Sequence, residues 1–429
     1  MNNIYFFIFA IVLILFFCYV YYRDFLHPTL VFGIFWLFIM LTYIFAHYNY
    51  SLYEVSENTV NIIGIGVIVF STTAAIAYNI SVKGTYKSKL FQRNIKKEIV
   101  YFMFAIAICY GIILSVRYIT LVGQGYDTAY VRSLYGSVTE KGPIRTAFEA
   151  IIYSYFFRPI IYCVIVMLPT QILTKNKDKK LIGLLLVLLV VSSTDGGRVT
   201  YYNLIFSFIF SYMLLKRNTK KENEGLIKRN IKKIITAIIA LVLVMYIVSL
   251  VRGVTVDKLF EQVIVYFSGC ISFMDIQIAK WPMEMPKTLG YGFFGGLVKF
   301  LSWLLSQFGT YFGELWDVVV EYGVTQPQIF TKIGRYNDYN AFVSVFYYFY
   351  MDFGYAGVII GSMIWAIMCA KAYKNINIYN SDMSKYIYIL LLIGILNSMV
   401  RWPFFQSEYL FAYFYLIICS SKKGNVYEN

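Results

Sequence analysis

Residues 234–253 read IITAIIALVLVMYIVSLVRG, eighteen apolar or small residues and then Arg252 and Gly253. A run of that length and character is a membrane-crossing helix, which needs about 20 residues to traverse the hydrocarbon. The next stretch, Arg252 to about Asn340, changes texture. Glycines fall at 253, 269, 290, 292, 295, 296, 309, 313, 323 and 334, with Pro282, Pro286 and Pro327 among them. That density of breakers predicts a folded loop with short helices instead of another span. Its Phe, Tyr, Trp and Leu content argues against a disordered linker. Two pieces inside it, Leu259–Ile278 and Leu297–Phe312, are amphipathic and suit a place along the membrane surface or dipping partly into it. Another apolar run begins near Phe342.

The rest of the chain agrees with a membrane reading. Of 429 residues 59% are hydrophobic and 20% aromatic, with a mean hydropathy of +0.63, well outside the range of soluble domains. The net charge of +15 has no basic stripe in a soluble domain to give it a nucleic-acid meaning. Six scattered cysteines and two histidines, His27 and His47, offer neither a disulfide framework nor zinc spacing, so no metal and no cofactor is expected.

Outward from the central segment, the expected class is an all-α polytopic membrane protein with about eleven spans. They are placed at 4–22, 28–46, 59–78, 99–121, 148–173, a short hairpin 181–191 and 199–215, 234–251, 342–369, 386–400 and 403–419. Three regions result: transmembrane helices over 1–251, a large loop over 252–341, and transmembrane helices with a short tail over 342–429. Basic residues concentrate in alternate loops, at Arg23, Lys83–Lys97, Lys175–Lys180, Lys216–Lys233, Lys371–Lys385 and Lys422–Lys423. These hold 24 of the 38 Lys and Arg. Basic loops stay cytoplasmic. One expected span separates the central segment from the basic loop on either side, so the segment is expected to face outside.

Against that pattern, Arg117, Arg158, Arg198, Arg252, Arg335 and Arg401 lie at the expected outer ends of spans or within the apolar and central stretches. A charge at membrane depth is costly unless paired or lining a cavity. Guanidinium is the preferred fork for phosphate. The set therefore suggests an anionic, membrane-delivered substrate such as a lipid pyrophosphate. The competing reading is ion pairing with Asp195, Glu149 or Glu408.

Asp195-Gly196-Gly197-Arg198 joins the two short hairpin helices. Its glycines leave backbone N–H groups open to an anion at the start of a helix; a tight turn explains the glycines alone. Asp352 lies inside an aromatic run, Tyr347–Tyr355, where a carboxylate is either paired or functional, and burial would move it toward general-base use. Asp352-Phe353-Gly354 has no kinase context. Gly290-x-Gly292-x-x-Gly295 matches a dinucleotide fingerprint by letters only, with no strand before it.

Gly196-Gly197-Arg198, Tyr266-Phe267-Ser268-Gly269 and Tyr347-Tyr348-x-x-x-Asp352-Phe353-Gly354-x-x-Gly357 together resemble the Wzy-type oligosaccharide repeat-unit polymerases of bacterial O-antigen and capsule assembly. The resemblance covers roughly Ser192 to Gly361. It implies a metal-independent membrane glycosyltransferase of the bacterial cytoplasmic membrane, acting on undecaprenyl-pyrophosphate-linked oligosaccharides. A flippase and a chain-length regulator of the same pathway would be its partners. The related O-antigen ligases place a histidine in the long external loop; here that loop has none.

Chemistry and resemblance combine into one expectation. An acceptor hydroxyl attacks the anomeric carbon of the donor glycan and a lipid pyrophosphate leaves. Arg198 and Arg252, helped by Arg158 or Arg335, would stabilise the leaving charge. Asp352 is the first choice of base, ahead of Glu408, Asp275 and Asp195. Arg117, Arg401, Gly196, Gly197 and Tyr266 would contact substrate. A ligase, or a flippase of lipid-linked oligosaccharides, is the alternative; no internal repeat of the transporter kind is visible.

Overall fold

The computed structural model describes residues 2–80, 94–126, 130–131, 147–173, 178–192, 198–217, 224–251, 256–281 and 287–421. In chain order the helices are α1 (Asn2–Tyr22), α2 (Pro28–Tyr50), α3 (Glu57–Asn79) and α4 (Lys97–Gly123). A helix over Ala147–Ile152 continues through a π-helical stretch, Tyr153–Phe157, into Arg158–Leu173; together these are α5. Then come α6 (Lys179–Ser192), α7 (Arg198–Arg217), α8 (Glu224–Val251), α9 (Val256–Ala279) and α10 (Gly295–Ser306). α11 (Glu314–Val320) runs into a second π-helical stretch, Glu321–Thr325. The chain closes with α12 (Ser344–Phe353), α13 (Tyr355–Tyr379), α14 (Asp382–Leu396) and α15 (Ser407–Ile418). Two-residue strands form two small antiparallel pairs, β1 (Asn94–Ile95) with β4 (Ser420–Ser421), and β2 (Thr331–Lys332) with β3 (Asp338–Tyr339).

The protein is thus an all-α, multi-pass membrane protein. Among the described residues seven helices are long and apolar enough to cross a membrane: α1, α2, α3, α4, α5, α9 and α13. α14 and α15 have 15 and 12 residues, about 22 and 18 Å, short of a full crossing of about 30 Å. They are separated by a broken stretch with 3-10 turns at Asn397–Met399 and Pro403–Phe405.

The central segment departs from expectation at its start. The amphipathic piece at 259–278 forms most of α9, whose Phe260–Ala279 portion is itself long and apolar enough to span. The breaker-rich stretch therefore begins at Lys280 and not at Arg252. Between the basic 216–233 loop and the segment, α9 meets the length and apolarity of a crossing while α8 contributes a shorter apolar piece, Ile234–Tyr246; α13 follows the segment.

The chain divides into two compact units. The first comprises Met1–Tyr86, Val256–Asn377 and Gly394–Leu410; the second comprises Lys87–Thr255, Ile378–Ile393 and Phe411–Asn429.

In the first unit α2 and α9 run in the same direction. Phe38 meets Phe267 with ring centroids 5.2 Å apart, and Asp275 further along accepts hydrogen bonds from Thr59 Oγ1 (2.7 Å), Ser56 N (3.2 Å) and Ser56 Oγ in the α2–α3 turn. At that same end Tyr355 donates to Asn58 Oδ1 (2.7 Å), and the β2–β3 hairpin bonds the turn through Arg335 N to Ser51 O (3.1 Å) and Tyr53 N to Ile333 O (2.9 Å). At the opposite end Tyr373 bonds Asp24 and Asn377 bonds Tyr78. Between the ends lies an aromatic core of Phe32, Phe70, Trp36, Phe346 and Trp365, with Phe32 stacked on Phe70 at 3.9 Å. Gly66 makes room for Phe346: a Cβ there would stand 2.2 Å from that ring.

In the second unit Val191 of α6 packs into the notch left by Gly111 of α4, where a Cβ would approach within 2.2 Å. Gln171 of α5 donates to Tyr386 (2.9 Å), Tyr415 donates to the Tyr155 carbonyl (2.6 Å), and Lys97 pairs with Asp178 at 2.8 Å.

Candidate functional site

The sequence-derived candidates fall in both units, and each unit is taken by itself. Arg252, Asp195, Gly196 and Gly197 lie outside the described residues.

In the second unit Arg117 pairs with Glu149 at 2.8 Å, the ionic alternative that the charge pattern allowed. Its charge is neutralised within the protein. Arg158 directly follows the π-helical stretch of α5. The i to i+5 spacing of a π turn places its guanidinium over the Tyr153 ring, 5.9 Å from the centroid. Arg198 opens α7, half-buried, immediately after the described part of the chain resumes.

In the first unit Asp352 is 2% exposed and accepts three hydrogen bonds: from Thr288 Oγ1 at 2.5 Å, Gly292 N at 2.8 Å and Phe293 N at 2.7 Å. Thr288 N closes the junction on the Met351 carbonyl (3.1 Å). The carboxylate is thus the hub of the turn over 287–294. That turn also explains the glycine run that resembled a nucleotide fingerprint. Gly290 has φ of +97°, which favours glycine. A Cβ on Gly292 would stand 2.9 Å from the Tyr348 carbonyl and 3.0 Å from Asp352 Oδ1. Gly295 and Gly296 abut Phe405 and the Phe404 carbonyl just as closely. Trp402 Nε1 donates to the Phe293 carbonyl (2.7 Å), tying the turn to the break between α14 and α15. The role of Thr288 and of the Gly292 and Phe293 amides had no local signature; the glycine spacing was the one legible sign of close backbone approach.

Arg401 sits in that break. Its guanidinium makes one long bond, Nη2 to the Ala341 carbonyl at 3.5 Å, and its Nε is buried with no partner among the described residues. No described carboxylate pairs with it. Ala341 (φ 71°) and Ser344 (φ 67°), beside it, are non-glycine residues in the left-handed region, a cost of order 1 kcal/mol each. Ala341 N to Pro327 O (2.5 Å), Val343 N to Val400 O (2.9 Å) and Ser344 Oγ to Met274 Sδ (3.0 Å) hold them there. The wider turn at Glu321–Thr325 frees the carbonyls of Tyr322 and Gly323, and these accept the hydroxyls of Tyr347 (3.1 Å) and Tyr348 (2.9 Å). The result is a rigid cradle around an arginine whose donors are nearly all unused by the described residues.

The other candidates of this unit are spread more widely. Arg335 lies over its neighbour Tyr336, 5.4 Å from the centroid, on the hairpin against the α2–α3 turn. Tyr266 is on α9; its carbonyl accepts the Tyr339 hydroxyl at 2.7 Å and its ring packs on Phe342. Glu408 is half-buried in the first turn of α15, where a helix N-terminus favours a carboxylate. Among the described residues no three His, Cys, Asp or Glu side chains gather as metal ligands.

Comparison of the chain with known protein families, curated proteins and solved structures gave no match. The resemblance to Wzy-type polymerases therefore rests on the chain's own motifs and chemistry.

Proposed function

We propose that the protein polymerises lipid-linked oligosaccharide repeat units at the outer face of the bacterial cytoplasmic membrane. It transfers a growing glycan from undecaprenyl pyrophosphate to the terminal sugar of a new unit, without a metal. The observation that carries this reading is Arg401. It is a guanidinium held in the break between two short helices, with a buried Nε that no described residue uses and no described carboxylate beside it. An arginine kept in that state suits a pyrophosphate leaving group, whose charge develops as the glycosidic bond breaks.

In this reading Arg401 binds the pyrophosphate. The leaving-charge roles expected of Arg198 and Arg252, with help from Arg158 or Arg335, stay open to the same complementation test. Asp352 acts by fixing the turn over 287–294 beside the Arg401 break, so that the substrate meets a preorganised wall. Glu408 then becomes the preferred carboxylate to accept the acceptor's proton, since Asp352 is committed to the turn. The outer location takes the side given by the single span, α13, between the segment and the basic Lys371–Lys385 loop.

The test is the lipid-linked glycan profile of cells lacking the protein, complemented with wild type or with Arg401→Ala. Single repeat units should accumulate and the ladder should vanish in the null strain and with Arg401→Ala, while wild type restores it. A normal ladder with Arg401→Ala removes Arg401 from the mechanism. A normal ladder in the null strain removes the polymerase reading altogether.

A further inference from the structure

A second cluster in the first unit lies at the start of the turn over 287–294. Lys287 directly precedes Thr288, the residue that bonds Asp352. Its ammonium lies over the Tyr350 ring at 4.7 Å and over the Trp281 ring at 5.8 Å. Among the described residues it pairs with no carboxylate. A lysine held on two aromatic faces, with no carboxylate beside it among the described residues, retains most of its capacity to attract an anion.

Trp281 continues the helical turn that ends α9, with its N–H bonded to the Ile278 carbonyl at 3.1 Å. Its indole Nε1 is buried and has no hydrogen-bond partner among the described residues. The ring stands 5.1 Å from that of Tyr322, inclined by 53°, which makes an angled aromatic wall. Four residues before it, and so on the same face of the helix, is Gln277. It is 0% exposed, and both its amide nitrogen and its amide oxygen are unpartnered among the described residues. A buried amide left with both functions unmet costs free energy in an empty fold, so each such group asks for an explanation. Here an ammonium and an indole N–H stand among the rings of Trp281, Tyr322 and Tyr350, and Trp281, Tyr322, Lys287 and Tyr350 all remain partly open to solvent.

Hydrogen-bond donors and acceptors interleaved with aromatic faces fit a sugar ring, whose hydroxyls are polar around the edge and whose C–H face is apolar. The cation adds a preference for charge. We propose that Trp281, Tyr322, Tyr350 and Lys287 form a saccharide subsite for a sugar bearing a carboxylate, so that the repeat unit handled by this protein contains an acidic sugar. The identity of that sugar as part of a repeat unit rests on the polymerase reading; binding of an acidic saccharide here does not. Lys287 receives the carboxylate, Trp281 and Tyr322 receive the ring face, and the indole N–H takes a hydroxyl.

The test uses the full-length protein in nanodiscs and four probes: a disaccharide of glucuronic acid linked to glucose, the neutral disaccharide cellobiose, free glucuronate and inorganic phosphate. Binding is read by saturation-transfer NMR and by competition. The acidic disaccharide should bind roughly tenfold or more tightly than cellobiose, the gain that one favourable charge contact of about 1.4 kcal/mol gives. Lys287→Gln should erase that preference while leaving weak binding of both sugars. Trp281→Phe, which keeps an aromatic ring and removes the N–H, should weaken both sugars together. Equal binding of the two disaccharides to the wild type, or an undiminished preference in Lys287→Gln, overturns the proposal. So does phosphate displacing the acidic sugar from its site as effectively as free glucuronate, which would make Lys287 a phosphate contact. Melting temperatures of the variants, measured alongside, separate lost binding from lost fold. Failure here with a lost ladder in the null strain leaves the polymerase reading standing; success here with an unchanged ladder keeps the subsite and rejects the polymerase.

Discussion

The replacement of Asp352 by asparagine separates a structural carboxylate from a catalytic one. Asp352 presents two oxygens to three donors, Thr288 Oγ1 and Gly292 N on one and Phe293 N on the other. An asparagine can turn its oxygen to Thr288 and Gly292, but its NH2 group then faces the Phe293 N–H, donor against donor. The variant loses the charge assistance of the two remaining bonds and leaves one buried amide unmet. Hydrogen bonds to a charged group contribute about 1.5–3 kcal/mol, and a buried unsatisfied donor costs about 1–3 kcal/mol. Allowing for partial relaxation, about 3 kcal/mol is expected. At about 2–4 °C per kcal/mol for a domain of 150–250 residues, this lowers the melting temperature by roughly 6–12 °C. The assay is thermal unfolding of purified protein in detergent, followed by the loss of the monodisperse peak in size-exclusion chromatography. Thr288→Val, which removes one donor and leaves the carboxylate to the two amides, should give a shift under half as large. An Asp352→Asn protein that melts with the wild type and yet makes no polymer would refute the reasoning, since the carboxylate would then act on substrate and not on the turn.

Gly292→Ala should destabilise the same turn by about 1–3 kcal/mol, because its Cβ would meet the Tyr348 carbonyl at 2.9 Å, and backbone cannot swing aside; the melting temperature of Gly292→Ala checks it. Arg117→Ala breaks a partly exposed ion pair with Glu149, so a change under about 1 kcal/mol and an unaltered glycan ladder are expected; a lost ladder would return Arg117 to the substrate-binding set. Acid should loosen the second unit through Asp178. The Lys97 ammonium, the Tyr101 hydroxyl and the Leu181 amide hold its carboxyl well below the usual carboxylate range. A depressed pKa means the unfolded state binds the proton first, so the stabilisation is complete above about pH 4 and is lost as pH falls below that. Melting temperature against pH should therefore drop on the acid side in the wild type and drop less in Asp178→Asn.

The sequence by itself determined the class of protein. Long apolar runs such as 28–46 and 59–78 have no stable place except a bilayer or a large core, and their length, charge-free interior and basic flanks are local properties. The helix start at Pro28 was legible for the same reason, while the start at Glu57 and the caps His27 and Ser56 came from the structure. Amphipathicity of 259–278 did not say what its polar face meets. Asp275 finds Ser56 and Thr59 across the fold, and with that carboxylate satisfied the helix can lie along α2. The two C-terminal spans became short helices around a break because apolar character sets preference for lipid and not the position of a turn. What decided the site was also long-range. Asp352 was visible as an anomalous carboxylate, but its partners lie some sixty residues earlier, in a glycine run whose spacing had meaning only once Tyr348 and Phe405 were packed against it. Arg117 and Arg401 look alike as letters in apolar surroundings. Only the tertiary structure gives one of them a glutamate and the other a carbonyl, because ion pairing depends on which helices become neighbours and not on the residues beside the charge.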